Sequence, residues 1–291
     1  MTEYQIEPLD LNSVWRDQIG KVVSEAFRND SAAQTLERIE KTTATHGARP
    51  SIYFGAIEGG ELIGFNAFIR HELELAGNPI IAYQSCWTAT SSAHRGKRVF
   101  QNIILEAHRA LALEGGHFVI GWPNPSSEPL FVHKLGYRRE GSVKRNIFGP
   151  MAEHFFGDLE ARAGGINQND AQLIDLKRGL HGDKLIVEGD GQDLLWGVIR
   201  SRPTRLGPIP YFEVGGLRWS KPSGAKLLAS GMRRRLPLVA YWQIISERRN
   251  TINPAIGKFQ ESSTNPLIWY PLSTNVSDGP FDFFGGIRDV Y

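Results

Sequence analysis

The stretch from Thr88 to Phe100 constrains this chain more than any other. An apolar run reaches it from Ile80, and a helix-period run leaves it with Val99, Phe100, Ile103, Ile104, Ala107 and Leu111 on one face. A strand therefore ends in an Arg95-Gly96-Lys97 turn that opens a helix. The first N–H groups of a helix have no internal partner and carry partial positive charge. A glycine turn with several cations at that point is a candidate phosphate cradle.

The elements around it are ordered. Gln5 to Leu11 reads as a strand and loop. Ser13 or Asn12 caps a helix running to about Phe27, and a second helix covers Ala32 to Thr45. Ser51 to Ile57 and Leu62 to Leu73 are strands joined by the turn Glu58-Gly59-Gly60-Glu61. Gly77-Asn78-Pro79 turns the chain into the strand Ile80 to Thr90. The helix after the Arg-Gly-Lys turn stops at Gly115-Gly116. A strand His117–Trp122, a loop Pro123–Ser127, a short helix to Leu135 and the Gly136-Tyr137 turn follow. This order predicts an α/β fold with a mixed sheet.

Downstream, Leu194–Arg200, Pro210–Val214 and Leu238–Ile245 read as strands and Ser223–Leu236 as a helix. The order repeats that of the first half, so the alternatives are a duplicated plan or two unrelated halves. A chain of 291 residues suits two domains, drawn here at 1–150 and 151–291, with Met151 to Asp183 as the connection. The segment Phe281–Tyr291 is expected to pack as a final strand.

A net charge of +2 gives no bulk drive toward nucleic acid. The run Arg233-Arg234-Arg235 sits at a helix end, where cations complement the dipole. One cysteine excludes an internal disulfide framework and a Cys-rich metal site. With neither a signal-peptide pattern nor a long apolar run, a cytoplasmic, membrane-free protein is expected, and oligomers remain open.

The first half resembles the GNAT superfamily of acyl-CoA N-acyltransferases. Their signature, Arg/Gln-x-x-Gly-x-Gly/Ala, opens a helix over the CoA pyrophosphate. Arg95-Gly96-Lys97-Arg98-Val99-Phe100 is similar to it at Arg95 and Gly96-Lys97. The segment from Asn124 to Phe131-Val132-His133-Lys134-Leu135-Gly136-Tyr137 resembles the family's Asn-loop, short helix and Phe-Tyr-x-Lys-Leu-Gly-Phe/Tyr ending, and the Glu58-to-Gly64 hairpin also matches. Arg98 and Phe100 depart from the family's small residues, and Val132 stands where a Tyr often protonates the leaving thiolate. The downstream half resembles a degenerate GNAT unit without a phosphate loop.

The resemblance implies that Thr88, Ala89, Thr90, Arg95, Gly96, Lys97, Arg98, Val99, Phe100 and Asn124 hold acetyl-CoA as co-substrate, with no metal. The main chains of Thr88 and Thr90 would bond the pantetheine arm, and an N–H near Thr88 would face the thioester oxygen. His133, beside the Val132 position, is the candidate catalytic acid, or else a surface histidine. Cys86 is a nucleophile or a buried small hydrophobe. Asn124 orients cofactor or forms a turn. Glu72 and Glu74 approach an amine or are solvated. His94 adds charge beside the loop or lies exposed in the turn. Alternation puts Cys86, Thr88 and Thr90 on one sheet face and Ser85, Trp87 and Ala89 on the other. The aromatics Trp196, Tyr211, Trp219, Tyr241, Trp242, Trp269 and Tyr270 line a ligand pocket or pack a core.

The expected function is N-acetyl transfer from acetyl-CoA to a small amine by direct attack in a ternary complex. The alternatives are a non-catalytic binding protein on the same scaffold and a tandem transferase using another donor, such as aminoacyl-tRNA.

Overall fold

The computed structural model describes residues 4–27, 31–43, 50–75, 78–140, 144–148, 166–168, 170–190, 193–205, 207–218, 222–236, 241–246, 261–262, 266–273 and 281–282. The first half runs β1 (Gln5–Leu9), α1 (Arg16–Phe27), α2 (Ala32–Thr43), β2 (Ile52–Glu58), β3 (Glu61–Leu75), β4 (Asn78–Thr90), α3 (Val99–Leu113), β5 (Phe118–Gly121), α4 (Glu128–Leu135) and β6 (Arg138–Glu140). Then come β7 (Lys144–Phe148), β8 (Ile166–Gln168), α5 (Asp170–His181), β9 (Leu185–Asp190), β10 (Asp193–Arg202), β11 (Ile209–Arg218), α6 (Pro222–Arg235), β12 (Tyr241–Ser246), β13 (Glu261–Ser262), β14 (Leu267–Pro271) and β15 (Phe281–Asp282).

Two sheets result. The first has the order β1-β2-β3-β4-β5-β14-β6, with β8 on β3 and β15 on β8. Its strands β1 to β4 are antiparallel neighbours, and β4–β5 is parallel because α3 carries the chain back across one face. The second has the order β13-β7-β12-β11-β10-β9. A boundary at residue 150 does not partition these sheets. β14 lies between β5 and β6, while β7 belongs to the second sheet. Asp170–His181 is a helix where a connection was expected. Leu173 and Ile174 on this helix are buried, and this apolar pair draws the segment into the core.

The alternation of β5 and β14 sorts their side chains. Val119 and Ile268 face a core with α3 and α4, through Val99, Ile103, Ile104, Ala107, Leu111, Phe131 and Leu135. Phe118, Ile120, Leu267 and Trp269 face the other way, against Leu173, Ile174, Leu194 and Trp196 from α5 and β10. Helices α1 and α2 share that second face farther along β3 and β4, through Ile19, Val22, Val23, Leu36 and Ile39. Trp196 and Trp269 are thus core residues, Trp196 being anchored by its indole N–H on Asp170 at 2.8 Å. The side chains of Tyr241 and Trp242, Trp219, the sequon Asn275–Ser277 and the segment 283–291 lie outside the described residues.

The second sheet repeats the plan of the first. Antiparallel β10–β11, helix α6 and a parallel β12 follow the order of β3–β4, α3 and β5. Each plan carries one extra residue in its middle strand. Phe65 pairs with Ala89 but Ala67 with Cys86, so Trp87 and Thr88 together face Asn66. Trp196 pairs with Gly216 but Gly197 with Val214, leaving Gly215 over. A Cβ on Gly215 would lie 2.2 Å from the Trp196 ring, so glycine is required at this bulge. Among the described residues no helix is long and apolar enough to cross a membrane.

Candidate active site

The β4–β5 pairing ends at Gln84 and Ile120, although β4 continues to Thr90. The strands part there, and a cavity of about 790 Å³ passes through the gap. Its walls come from both sheet faces. Phe27, Thr35 and Arg38 belong to α1 and α2, and Arg95, Gly96, Arg98, Val99, Phe100, Gln101, Leu130 and Phe131 to the α3–α4 side. Ser85 to Thr90 and Gly121 to Asn124 line the middle.

The bulge in β4 shapes that middle. Trp87 has φ +53°, a left-handed conformation rare for a bulky residue. The extra residue breaks the expected alternation: Cys86, Trp87 and Ala89 all pack with the α1–α2 core. Thr88 is shed from that set, and its hydroxyl donates to Asn66 Oδ1. Fully buried Asn66 also donates to Ser85 Oγ at 3.2 Å and to the Ala67 carbonyl at 3.1 Å. Asn66 thus fills the space opposite the bulge. Its only sequence signal was a polar residue amid an apolar strand. Asn66→Ala would leave the Thr88 and Ser85 hydroxyls without this partner, and is expected to cost about 1–3 kcal/mol in urea unfolding.

The turn after β4 begins with a short 3₁₀ segment, Ser92–His94. His94 lines the cavity but is tied on both ring nitrogens, to Ser91 Oγ at 2.7 Å and Glu58 Oε2 at 2.8 Å. Glu25 accepts the Ser92 N–H at 2.9 Å, and bonds from Ser92 hold its carboxylate below the usual range. Gly96 has φ +81°, and Arg98 has φ +62° with ψ 13°. Arg98 therefore takes a left-handed conformation at the position where the GNAT signature has glycine. The turn survives this departure because the backbone takes the glycine conformation at an exposed site, where the side chain is free to leave the fold. Arg95, Gly96, Arg98, Val99 and Phe100 line the cavity. Lys97 is exposed and lies outside the lining.

Phe100 is accommodated by α4. Its ring meets Phe131 edge-on at 5.1 Å, and Phe131 meets Tyr137 at 4.9 Å. Asn124 lines the cavity, yet its Oδ1 accepts the N–H groups of Ser126 at 3.0 Å and Ser127 at 2.9 Å, which is the turn-forming role. His133 is exposed on α4 and does not line the cavity, so the structure does not bring it to the other candidates. Glu72 and Glu74 are likewise absent from the lining, and Glu72 pairs with Arg70 at 2.7 Å. Cys86 lines the cavity but is 4% exposed. Among the described lining residues there are three arginines and no carboxylate. No cluster of potential metal ligands occurs among the described residues.

A strand ending in a cationic, helix-opening turn is the arrangement the GNAT resemblance anticipates, and the bulge in that strand is an addition of the structure. Residues 11–139 match the family model of the GNAT acetyltransferase domain. The chain carries a GNAT domain. The matched family is one of acetyltransferases. The chain's fold is similar to that of a GCN5-related N-acetyltransferase from Kribbella flavida, at 11% identity and TM-score 0.65, over 92% of this chain and 71% of that one. A GCN5-related N-acetyltransferase from Anabaena variabilis gives 9% identity and TM-score 0.63, over 92% and 73%. A putative acetyltransferase from Pyrococcus horikoshii gives 11% identity and TM-score 0.56, over 100% and 96%. The likeness of fold thus extends past the GNAT domain into the second sheet. No curated protein matches the chain significantly.

Proposed function

We propose that this GNAT protein transfers an acetyl group from acetyl-CoA to a small amine by direct attack. The observation that carries the reading is one continuous cavity joining the Arg95–Phe100 turn to the open edge of β4 at the splay. The diphosphate sits on the turn, where helix-opening amides and the Arg95 and Arg98 guanidinium groups face it. The pantetheine arm runs along β4, bonded by the main chains of Thr88 and Thr90. A backbone N–H near Thr88 faces the thioester oxygen as charge develops there.

The acceptor enters from the α1–α2 side as a free amine. Its nitrogen bonds to the carbonyl carbon, the C–S bond breaks, and the proton lost by nitrogen balances the one gained by the thiolate. Val132 cannot supply that proton and His133 lies outside the cavity, so water in the cleft relays it. The burial of Cys86 supports a route without a covalent enzyme intermediate.

The duplicated β–β–α–β order and the paired bulges support reading the second half as a degenerate unit of the same plan. Among the described residues, only Ile268 of that half lines the cavity. The role of this half in the reading is to complete the sheet and back the acceptor side. Titration with acetyl-CoA by calorimetry is expected to show one saturable site competed by CoASH, and no heat at millimolar ligand would overturn the reading.

A further inference from the structure

The acceptor side of the cavity has a chemistry of its own. Trp87 is held by the bulge and by its indole N–H, which donates to Thr42 Oγ1 at 2.8 Å. Phe27 stands edge-on to it at 5.6 Å and keeps 42% of its surface exposed at the cavity wall. The Arg38 guanidinium lies over the Trp87 ring, 5.7 Å from its centroid, and also lines the cavity. An arginine stacked on an aromatic face keeps its planar fork oriented at reduced entropic cost. A large exposed ring beside a fixed cation suits a ligand with an apolar body and an anion, and it repels a polycation.

We propose that the acceptor is an aromatic or bulky apolar amine bearing a carboxylate, of amino-acid type, with Arg38 taking the carboxylate and Phe27 the apolar body. This rests on the acyl-CoA reading above. The planar singly charged carboxylate matches one guanidinium fork, which selects it over a more highly charged anion. Polyamines and amino sugars find no carboxylate among the described lining residues.

The test uses the full chain saturated with CoASH, and two product mimics that differ in charge: N-acetyl-L-phenylalanine and N-acetyl-L-phenylalaninamide. Calorimetry is expected to show the acid binding about tenfold more tightly than the amide, the worth of one charge-assisted bond. Arg38→Ala is expected to abolish that preference while leaving amide and CoASH affinity in place, and Arg38→Lys to retain part of it. Equal binding of acid and amide, an acid preference that survives in Arg38→Ala, or no binding of either by protein that does bind CoASH overturns the inference alone. A protein that fails to bind CoASH overturns the acyl-CoA reading beneath it. Turnover of acetyl-CoA with spermidine in preference to L-phenylalanine also counts against the inference, and leaves the acyl-CoA reading standing.

Discussion

As pH falls from 6.5 toward 4, the fold is expected to lose about 3 kcal/mol of stability at each of His71 and His108. Both histidines are pushed down to about 4 by burial. His71 lies 2.9 Å from Gln84 Oε1 and also feels the Lys177 charge. His108 is stacked on Tyr270 at 4.2 Å, with Nε2 at 2.9 Å from the Tyr137 hydroxyl and Nδ1 buried without a partner. In the unfolded chain both rings take up a proton near 6.5, while in the fold they stay neutral until about 4. The unfolded state therefore binds more protons across this window, and stability falls with pH. Their sum, about 6 kcal/mol, is a large part of ordinary domain stability.

Lys177, which burial lowers to about 7, extends the same trend upward, because the unfolded chain holds its proton up to 10.5. Urea unfolding from about pH 7 to about pH 4 measures the effect directly. His108→Phe keeps the stacking ring but cannot titrate, so its stability profile should be shallower by about one proton. An unchanged slope in that variant would remove His108 from the account.

Neither histidine announced itself in the sequence. His71 lies in β3 among Ile69, Glu72 and Leu73, and a polar residue in an edge-to-core strand is invisible until its partner strand is known. The elements around the cleft were legible for the opposite reason. The apolar period of α3 and the glycines at 59, 60, 96, 115 and 136 are local signals, and each of these glycines has positive φ. Chain order suggests two consecutive units with a boundary at residue 150. Insertion of β14 between β5 and β6 is a long-range pairing that no local pattern encodes.

The candidate site was legible to the same extent. Arg95, Gly96, Arg98, Val99 and Phe100 are contiguous, so a local motif brought them together. The β4 residues Thr88, Ala89 and Thr90 joined them through the resemblance. Strict alternation failed at Trp87 because a bulge adds one residue and moves later side chains to the other face. Asn66 and Arg38 come from other elements: Asn66 backs the bulge from β3, and Arg38 reaches the cavity through the packing of α2. His133 matched by spacing beside Val132, yet it faces outward because Phe131 and Leu135 fix which side of α4 is buried.

Arg98 allows charge and backbone conformation to be separated. Its φ of +62° costs a non-glycine residue about 1–2 kcal/mol. Arg98→Gly keeps the turn geometry and relieves that strain, so urea unfolding should show a gain of about 1 kcal/mol. The same variant loses a guanidinium at the proposed diphosphate site, and acetyl-CoA affinity should fall about tenfold. Arg98→Glu retains the strain and reverses the charge, and about a hundredfold loss is expected, weakened at high salt. Arg95→Ala should fall with Arg98→Gly, since both remove one cation from the same turn. If Arg98→Gly instead binds acetyl-CoA more tightly, backbone amides hold the diphosphate and the arginine is an obstacle. If Arg98→Glu binds as the native protein does, the diphosphate does not lie on this turn at all.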